Sequence, residues 1–233
     1  MRFDLNCDLG EGEPRARTEA LMRVITSANV ACGGHAGDIA SMERCVALVK
    51  KYEVRLGAHP GAADRAGFGR GESRITPAEL ELLLMQQVGT LERIAHARGV
   101  KLHHIKLHGA LYHATEADKR LATAYIEIVR RWWPRVVVYA FAGGTVAKVP
   151  KSMVWREGFL DRNYLDNGTL VPRSESNALL KNVQEIRQRL KELAGRTVTS
   201  VRGKVIRIRA RTVCVHGDTP RAVEFARLAR GLD

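Results

Sequence analysis

The sequence lacks several features that would place it in a function class at once. No apolar run approaches the length of about 18 residues that a membrane-spanning helix needs. The amino-terminal segment carries acidic residues where a secretory signal has a basic start and an apolar core. The four cysteines form neither a CxxC pair nor a zinc-finger spacing. We therefore expect a cytoplasmic protein with reduced thiols, in which Cys7, Cys32 and Cys214 serve as small buried apolar residues.

Nucleotide-binding signatures are also missing. The glycine-rich residues 67–71 lack the GxxxxGK[ST] pattern of a phosphate loop, and no GxGxxG follows a predicted strand. We interpret this segment as a loop over a pocket, with Arg70 reaching inward.

Basic residues outnumber acidic ones, and the formal net charge is +13. The arginines are spread along the chain, whereas a nucleic-acid footprint is a clustered patch. The one concentration, residues 202–211, places Arg207, Arg209 and Arg211 on one face of a predicted strand, which is typical of a solvated surface. A basic RNA-binding or scaffold protein stays the least favoured alternative. The charge equally suits an anionic substrate or an acidic partner protein.

Five short apolar runs each end in small residues and in side chains capable of acid–base chemistry. They cover residues 3–12, 27–38, 54–61, 104–113 and 212–220. Side chains from separate parallel strands converge at their carboxyl ends, where glycine lets the backbone approach a ligand. The pattern therefore predicts one pocket at the strand ends, as in an enzyme.

Strands and helices alternate, which indicates a parallel sheet with helical crossovers. We predict strands at residues 3–7, 27–32, 54–58, 101–107, 135–141 and 213–216. Helix starts are placed at Thr18, at Asp38 or Ser41, at Thr76, near Ala117, at Ser174 or Glu175, and at Thr219. Residues 198–208 are predicted to form an antiparallel hairpin. The fold class is α/β, a TIM-like (β/α) barrel in one domain over residues 1–233.

Two carboxylates follow the first predicted strand. Asp8 and Glu11, with Asn6 beside them, can divide acid and base roles if their surroundings separate their pKa values. A turn cap at Asp8 and a solvated Glu11 are the structural alternative.

Four histidines lie at strand ends, where neutral imidazole can transfer protons or bind metal. They are His35, His59, His108 and His216. Lys106 alternates with His108, so both point to the same face of the fourth predicted strand. A lysine inside a barrel needs an anion, either an acidic side chain or a substrate. Asp218 is equally compatible with a helix cap and with catalysis.

Six segments in this order resemble the LamB/YcsF family. They are DLNCDLGEG, TSANVACGGHAGD, GAHPG followed by GFGR, HIKLHGALY, DRNYLDNGTLVPR and CVHGDTP, and they span residues 4–220. The resemblance implies a distorted barrel like that of polysaccharide deacetylases. It also implies ATP-dependent opening of 5-oxo-L-proline to L-glutamate with two partner subunits, 5-oxoprolinase subunits B and C. The chain departs from the family pattern at the short segment after Glu11, at Gly34 and at Ala62–Ala63, all at the pocket rim.

From this reaction we derive a hypothesis for each candidate residue. Asp8 or Glu11 positions water as general base, His59 and His108 shuttle protons, and Lys106 stabilises phosphate or oxyanion charge. Arg173 holds the substrate carboxylate. Further substrate contacts are expected from Asn6, His35, Arg70, His216 and Asp218.

ATP is expected as a co-substrate that acts through the partner subunits, because this chain lacks a nucleotide motif. The sequence does not decide whether a metal is bound. The alternative function is therefore a metal-dependent amidase or deacetylase, with Asp8, His35, His59 and His108 as ligand types, although these four residues are too scattered to form an HxxxH-like signature.

Overall fold

A closed barrel of parallel strands forms the centre of the molecule. The computed structural model describes residues 3–71, 74–150 and 153–232. Residues 1, 2, 72, 73, 151, 152 and 233, which the one-domain prediction also covers, lie outside the described residues. The barrel strands are β1 (Asp4–Leu9), β2 (Ser27–Ala31), β3 (Arg55–His59), β4 (Leu102–Ile105), β5 (Val137–Phe141), β6 (Val154–Phe159) and β9 (Thr212–Val215). Within the described part they follow this order around the barrel, with every neighbouring pair parallel. The predicted (β/α) barrel is confirmed.

The remaining two strands form the predicted hairpin outside the barrel. They are β7 (Thr197–Thr199) and β8 (Val205–Arg207), which pair antiparallel. The chain leaves the barrel after β6 and returns to it at β9, so β6 and β9 are neighbours although the hairpin separates them in sequence.

Helices surround the barrel between successive strands. They are α1 (Arg15–Met22), α2 (Ile39–Tyr52), α3 (Pro77–His96), α4 (Gly109–Ala117), α5 (Lys119–Trp132), α6 (Val183–Ala194) and α7 (Ala222–Arg230). Thr76 caps α3 in a capping box with Glu79, and the helix start predicted there is confirmed. Of the two starts predicted for α2, Asp38 is the N-cap, and Ser41 completes its capping box. Among the described helices, none combines the length and the apolar character that crossing a membrane requires.

Two predicted helix starts are wrong. Thr18 lies inside α1, where its hydroxyl contacts Glu13 and the Pro14 carbonyl instead of capping the helix. Ser174 and Glu175 lie in turns, and α6 begins only after residue 182, whose asparagine side chain caps it.

Two further helix starts are shifted. The helix predicted from near Ala117 is α5, and the segment before it forms the additional helix α4. The closing helix α7 begins at Ala222, because Thr219 and the residues after it first form a turn.

The barrel interior is polar, whereas the surface between barrel and helices is apolar. Alternation along β1 turns Leu5, Cys7 and Leu9 outward into the hydrophobic core. The other set, Asp4, Asn6 and Asp8, forms hydrogen bonds across the interior. The interior therefore carries polar side chains from the amino end of the barrel to its carboxyl end.

Candidate functional site

The carboxyl ends of the strands bring most of the predicted residues together. Asp8 lies near the end of β1, and His59 is the last residue of β3. Lys106 and His108 follow β4, and Glu11 and His35 lie in the loops after β1 and β2. Because the strands are parallel, these loops open at the same end of the barrel. The predicted pocket is present there, a cavity of about 580 Å³ whose wall includes Asp8, His59 and Lys106.

Lys106 is a buried cation between two carboxylates. Its Nζ lies 3.0 Å from Asp8 Oδ1 and 3.0 Å from Glu157 Oε1. It also lies 3.4 Å from Asn6 Oδ1, and Asn6 Nδ2 donates to Glu157 Oε1 at 3.0 Å. Asn29 Nδ2 donates to Asp8 Oδ1 at 2.7 Å. We call Asn6, Asn29, Asp8, Lys106 and Glu157 the lysine cluster.

Mutual attraction keeps Asp8 and Lys106 ionised. Burial alone would raise the pKa of Asp8, but His59 and Lys106 outweigh it and hold that pKa well below its usual range. Burial likewise opposes the charge of Lys106, and Asp8, Cys214 and Glu157 raise its pKa well above the ordinary value. The cavity therefore has a fixed positive charge and a fixed negative charge at its floor. The anion that a buried lysine needs is here an acidic side chain.

Glu11 and three histidines form a second group, which we call the histidine cluster. Glu11 Oε1 lies 2.9 Å from His35 Nε2, 3.6 Å from His59 Nε2 and 3.4 Å from His108 Nδ1. His59 Nε2 and His108 Nδ1 are 3.0 Å apart. The rings of His35 and His108 stack with centroids 3.6 Å apart. Ligand-type atoms from the ends of four successive strands thus converge on one point.

The backbone fixes the tautomers of two of these histidines. His59 Nδ1 lies 2.8 Å from the Lys106 carbonyl oxygen, and His108 Nε2 lies 2.9 Å from the Phe68 carbonyl oxygen. A carbonyl only accepts, so both ring nitrogens must carry hydrogen. In the neutral rings the opposite nitrogens, His59 Nε2 and His108 Nδ1, are then bare and face each other.

The pKa values within the histidine cluster are displaced toward neutral forms. Burial lowers the pKa of His59 to about 4 and that of His35 to about 3. Burial and the two neighbouring rings also lower the pKa of His108. Burial, with the negative charge of Asp8, raises the pKa of Glu11 well above its usual range. The pKa values of Asp8 and Glu11 are therefore pushed in opposite directions, as the paired-carboxylate hypothesis requires.

The rim of the cavity carries two arginines on one carboxylate. Arg173 Nη1 lies 2.9 Å and Arg70 Nη2 3.2 Å from Asp218 Oδ2. All three side chains are partly exposed. Two guanidinium groups share one carboxylate, so the rim retains one positive charge. Asp218 holds the rim together and does not cap α7, whose N-cap position is Arg221.

His216 lies in the cavity wall and has a fixed orientation. Its Nδ1 contacts Asp161 Oδ1 at 2.8 Å, and Asp161 Oδ2 accepts from the His216 amide at 3.0 Å and from the Thr219 hydroxyl at 2.7 Å. Although burial opposes it, His216 and these hydrogen bonds lower the pKa of Asp161 to about 2. A buried carboxylate thus positions the His216 ring at the cavity.

A second cavity of about 620 Å³ lies beside the first. Glu11 and His35 line it, together with Arg15, Arg44 and Arg65. Glu11 therefore lines both cavities, and the histidine cluster lies between them.

The cysteines are buried free thiols, as predicted. Burial raises the pKa of Cys7 and of Cys214, and it raises the pKa of Cys32 to about 12. Cys214 keeps its proton although Lys106 Nζ is 3.2 Å from its sulfur.

Sequence reasoning missed four polar residues of the site. Glu157 lies in β6 and Asp161 follows it, and β6 was not predicted as a strand. Tyr112 lies on helix α4, which was also not predicted, and its hydroxyl donates to Glu157 at 3.1 Å. Asn29 carried a usable signal, because an amide in the middle of the apolar run of residues 27–32 is a buried polar group that needs partners.

Comparison with known proteins finds a family, two relatives and a solved structure that match nearly the whole chain. The model of the LamB/YcsF family matches residues 3–232. The chain is 41% identical over 237 residues to the A subunit of 5-oxoprolinase from Pyrococcus furiosus, covering 99% of this chain and 93% of that protein. It is 41% identical over 232 residues to the A subunit of 5-oxoprolinase from Bordetella pertussis, covering 97% and 92%. The crystal structure of a lactam utilization protein from Thermus thermophilus matches with a TM-score of 0.89 at 32% identity, over 98% of this chain and 96% of that chain.

Proposed function

This chain belongs to the LamB/YcsF family, and on that premise we propose that it supplies the hydrolytic pocket of an ATP-dependent 5-oxoprolinase. In this proposal 5-oxo-L-proline is opened to L-glutamate, and two partner subunits, B and C, complete the enzyme. Relatives named as the A subunit of 5-oxoprolinase, at 41% identity over nearly the whole chain, support the substrate and the need for partners.

The observation that carries the proposal is the buried lysine cluster at the floor of the cavity. Lys106 lies 3.0 Å from both Asp8 and Glu157, and Lys106 and Asp8 line the cavity. A fixed cation of this kind stabilises negative charge that develops on a carbonyl or phosphoryl oxygen, because it does not have to reorganise during the reaction. A packed core has no need of such an arrangement.

Asp8 is proposed as the general base that orients water. It stays ionised because its pKa is held well below the usual range, against the effect of burial, by His59 and Lys106. Glu11, whose pKa is raised by burial and by Asp8, is the better proton donor. The two carboxylates thereby take one role each.

Substrate binding is assigned to the rim. Arg173 and Arg70 both contact Asp218, so one of the two positive charges is left for the carboxylate of 5-oxoproline. A guanidinium group suits this task because it binds a carboxylate through two parallel hydrogen bonds. Asn6 has a different role from the predicted substrate contact, since it is fully buried and hydrogen-bonded to Glu157 and Thr212.

His59 and His108 are poorly suited to the predicted proton shuttle. Burial lowers the pKa of His59 to about 4, so its ring is neutral near pH 7 and carries its only ring proton on Nδ1, which is bound to the Lys106 carbonyl. The facing nitrogens of the two rings are both bare, so no proton lies between them to pass on. We therefore assign proton transfer to Asp8 and Glu11.

ATP is proposed to act through the partner subunits. A lactam is a stable amide, and transfer of the γ-phosphoryl group to its oxygen would give ADP and a more electrophilic ring carbon. Water attack there, with departure of the ring nitrogen, leaves an acyl phosphate. A second water then releases L-glutamate and phosphate. Lys106, which lines the cavity, is proposed to stabilise the negative charge of both phosphorylated species.

The deciding experiment measures glutamate released from 5-oxo-L-proline by purified subunits. Glutamate and ADP should form together only when this chain, both partner subunits and ATP are all present. Omission of this chain, with the partners and ATP retained, is the matched control and should abolish glutamate release. Full release without this chain would contradict the proposal.

A metal-dependent amidase is the second candidate, and the histidine cluster is the observation that favours it. Such an enzyme would hydrolyse an amide with this chain alone and without ATP. Glutamate release by the isolated chain in the absence of ATP would therefore support the amidase and overturn the division of labour between subunits.

A further inference from the structure

We propose that Glu11, His59 and His108 of the histidine cluster form a binding site for a divalent first-row transition metal such as Zn²⁺. The ring of His35 stacks parallel on His108, so its lone pair cannot point at the same ion, and its Nε2 contacts Glu11 instead. A carboxylate that binds Zn²⁺ is deprotonated, so in the metal-bound protein Glu11 does not act as the proton donor proposed above.

Two bare nitrogens are in contact within the cluster. The carbonyls of Lys106 and Phe68 place the hydrogens of His59 and His108 on the outer nitrogens, which leaves His59 Nε2 and His108 Nδ1 facing each other at 3.0 Å. Two lone pairs at this separation repel each other unless an electrophile lies between them. A proton shared in an N–H···N hydrogen bond, or a metal cation bound by both nitrogens, removes this repulsion.

The spacing of the ligand atoms matches a coordination shell. Two ligands about 2.0–2.1 Å from a tetrahedral Zn²⁺ are about 3.4 Å apart. Glu11 Oε1 lies 2.9, 3.4 and 3.6 Å from the nearest nitrogens of His35, His108 and His59. His59 Nε2 and His108 Nδ1 are 3.0 Å apart. The distances among Glu11, His59 and His108 are therefore close to those of a Zn²⁺ coordination shell.

The outer hydrogen bonds of the rings also fit a metal site. Histidines that bind metal commonly donate their other ring hydrogen to a backbone carbonyl or a carboxylate, which fixes the ring. His59 and His108 both do so. Nδ1 of His35, which is 1% exposed, has no hydrogen-bond partner among the described residues. The position of His35 is thus not explained by a protein hydrogen bond at that nitrogen.

The donor set indicates the class of metal and the kind of site. Imidazole nitrogens suit Zn²⁺ and its neighbours in the first transition row, whereas Mg²⁺ and Ca²⁺ prefer oxygen ligands. Glu11, His59 and His108 also line the cavity, so the site opens toward the proposed substrate. A metal bound there would supply Lewis-acid chemistry within reach of Asp8, whose Oδ2 lies 3.6 Å from His59 Nε2.

The test is metal binding by the full chain after removal of metal with a chelator. We expect one equivalent of Zn²⁺ per chain in an isothermal titration, with no comparable binding of Mg²⁺. X-ray absorption of the bound Zn²⁺ should show two imidazole ligands. The double variant His59→Asn, His108→Asn should bind Zn²⁺ at least ~100-fold more weakly. His96→Asn is the matched control, since His96 is exposed and outside the cluster, and it should bind like the wild type.

Three results would overturn the proposal: no saturable Zn²⁺ binding by the wild type, equal binding by the double variant, or equal binding of Mg²⁺. If the double variant does not fold, the ligand count from X-ray absorption of the wild type decides, and fewer than two imidazoles contradicts the site. None of these measurements involves turnover, so failure of the metal site and failure of the 5-oxoprolinase proposal are separate outcomes.

Discussion

The two ends of the barrel each hold a buried aspartate on β1, and the surroundings of these aspartates are opposite in kind. Asp4, at the amino end, is 9% exposed, and Asp8, at the carboxyl end, is 7% exposed, so burial does not distinguish them. The partners of Asp4 are the hydroxyls of Thr26, Ser27, Tyr139 and Thr212 and the guanidinium group of Arg55.

Asp4 is surrounded by donors that the protein itself supplies, whereas Asp8 borders open space. Five groups at 2.6–2.9 Å satisfy the Asp4 carboxylate. Asp8 contacts Lys106 and Asn29 through one oxygen and lines the cavity. The amino end of the barrel therefore uses its carboxylate for stability, while the carboxyl end keeps one available for a ligand.

The largest expected effect comes from Asp8→Asn. This substitution removes the proposed base with little change in shape, and glutamate formation by the reconstituted enzyme should fall about 10²–10⁴-fold. Asp4→Asn is the matched control. It should keep most of the activity but lower the free energy of unfolding by about 1–3 kcal/mol, because an amide cannot accept all of the donated hydrogen bonds. Equal losses of activity in two folded variants would contradict the distinction between the two aspartates.

Lys106→Met tests whether the lysine cluster at the carboxyl end of the barrel stabilises the fold. The variant leaves Asp8 and Glu157 buried without their shared cation, and we expect the free energy of unfolding to fall by about 3–5 kcal/mol in chemical denaturation. Adding Glu157→Gln should recover part of this loss, since it removes one unpaired charge. Lys50→Met, at an exposed lysine, should change stability by less than about 0.5 kcal/mol. An unchanged denaturation midpoint for Lys106→Met would show that Lys106 does not offset the buried negative charges of Asp8 and Glu157.

The smallest expected effect is a pH dependence of the free energy of unfolding. It originates at His104, which lies between the two ends of the barrel. His104 is fully buried, lies 2.6 Å from Asn29 Oδ1 and stacks on Tyr139. Burial, with His103 and Lys106, lowers its pKa well below the usual value. The unfolded chain therefore binds a proton first as the pH falls. Stability from this group is complete above about pH 6.5 and decreases below it, by up to about 1.4 kcal/mol per pH unit.

Comparison of variants isolates this contribution. His104→Asn should show a shallower decrease of unfolding free energy between about pH 7 and pH 5 than the wild type does. His96→Asn, at an exposed histidine, should retain the slope of the wild type. The slope is the quantity compared, so a constant loss of stability in either variant does not affect the result. Identical slopes for all three proteins would exclude His104 as the source.

Much of the site was predictable because its chemistry lies where strands end. The apolar runs before Asp8, His59 and Lys106 indicated parallel strands, and parallel strands bring their carboxyl ends to the same side of a barrel. The capping box at Thr76 depends on local hydrogen bonds alone, so its position could be inferred without tertiary information.

What could not be predicted depended on neighbours distant in sequence. Residues 154–159 carry Arg156 and Glu157 in place of a continuous apolar run, because Glu157 faces the polar interior of the barrel and binds Lys106. No apolar pattern therefore marks β6 as a strand. The tautomers of His59 and His108 depend on two backbone carbonyls, and only the folded chain brings those carbonyls into contact with the rings.

One of these two carbonyls belongs to Phe68, which has a positive φ of 53° and is followed by Gly69 at 62°. Side chains other than glycine rarely adopt this backbone conformation. Any ligand or partner protein that shifts this turn withdraws the acceptor from His108 Nε2. The ring is then free to present an N–H, instead of a bare nitrogen, to Glu11 and His59. The position of this surface loop therefore sets the tautomer of His108, and with it whether a lone pair or an N–H faces Glu11 and His59.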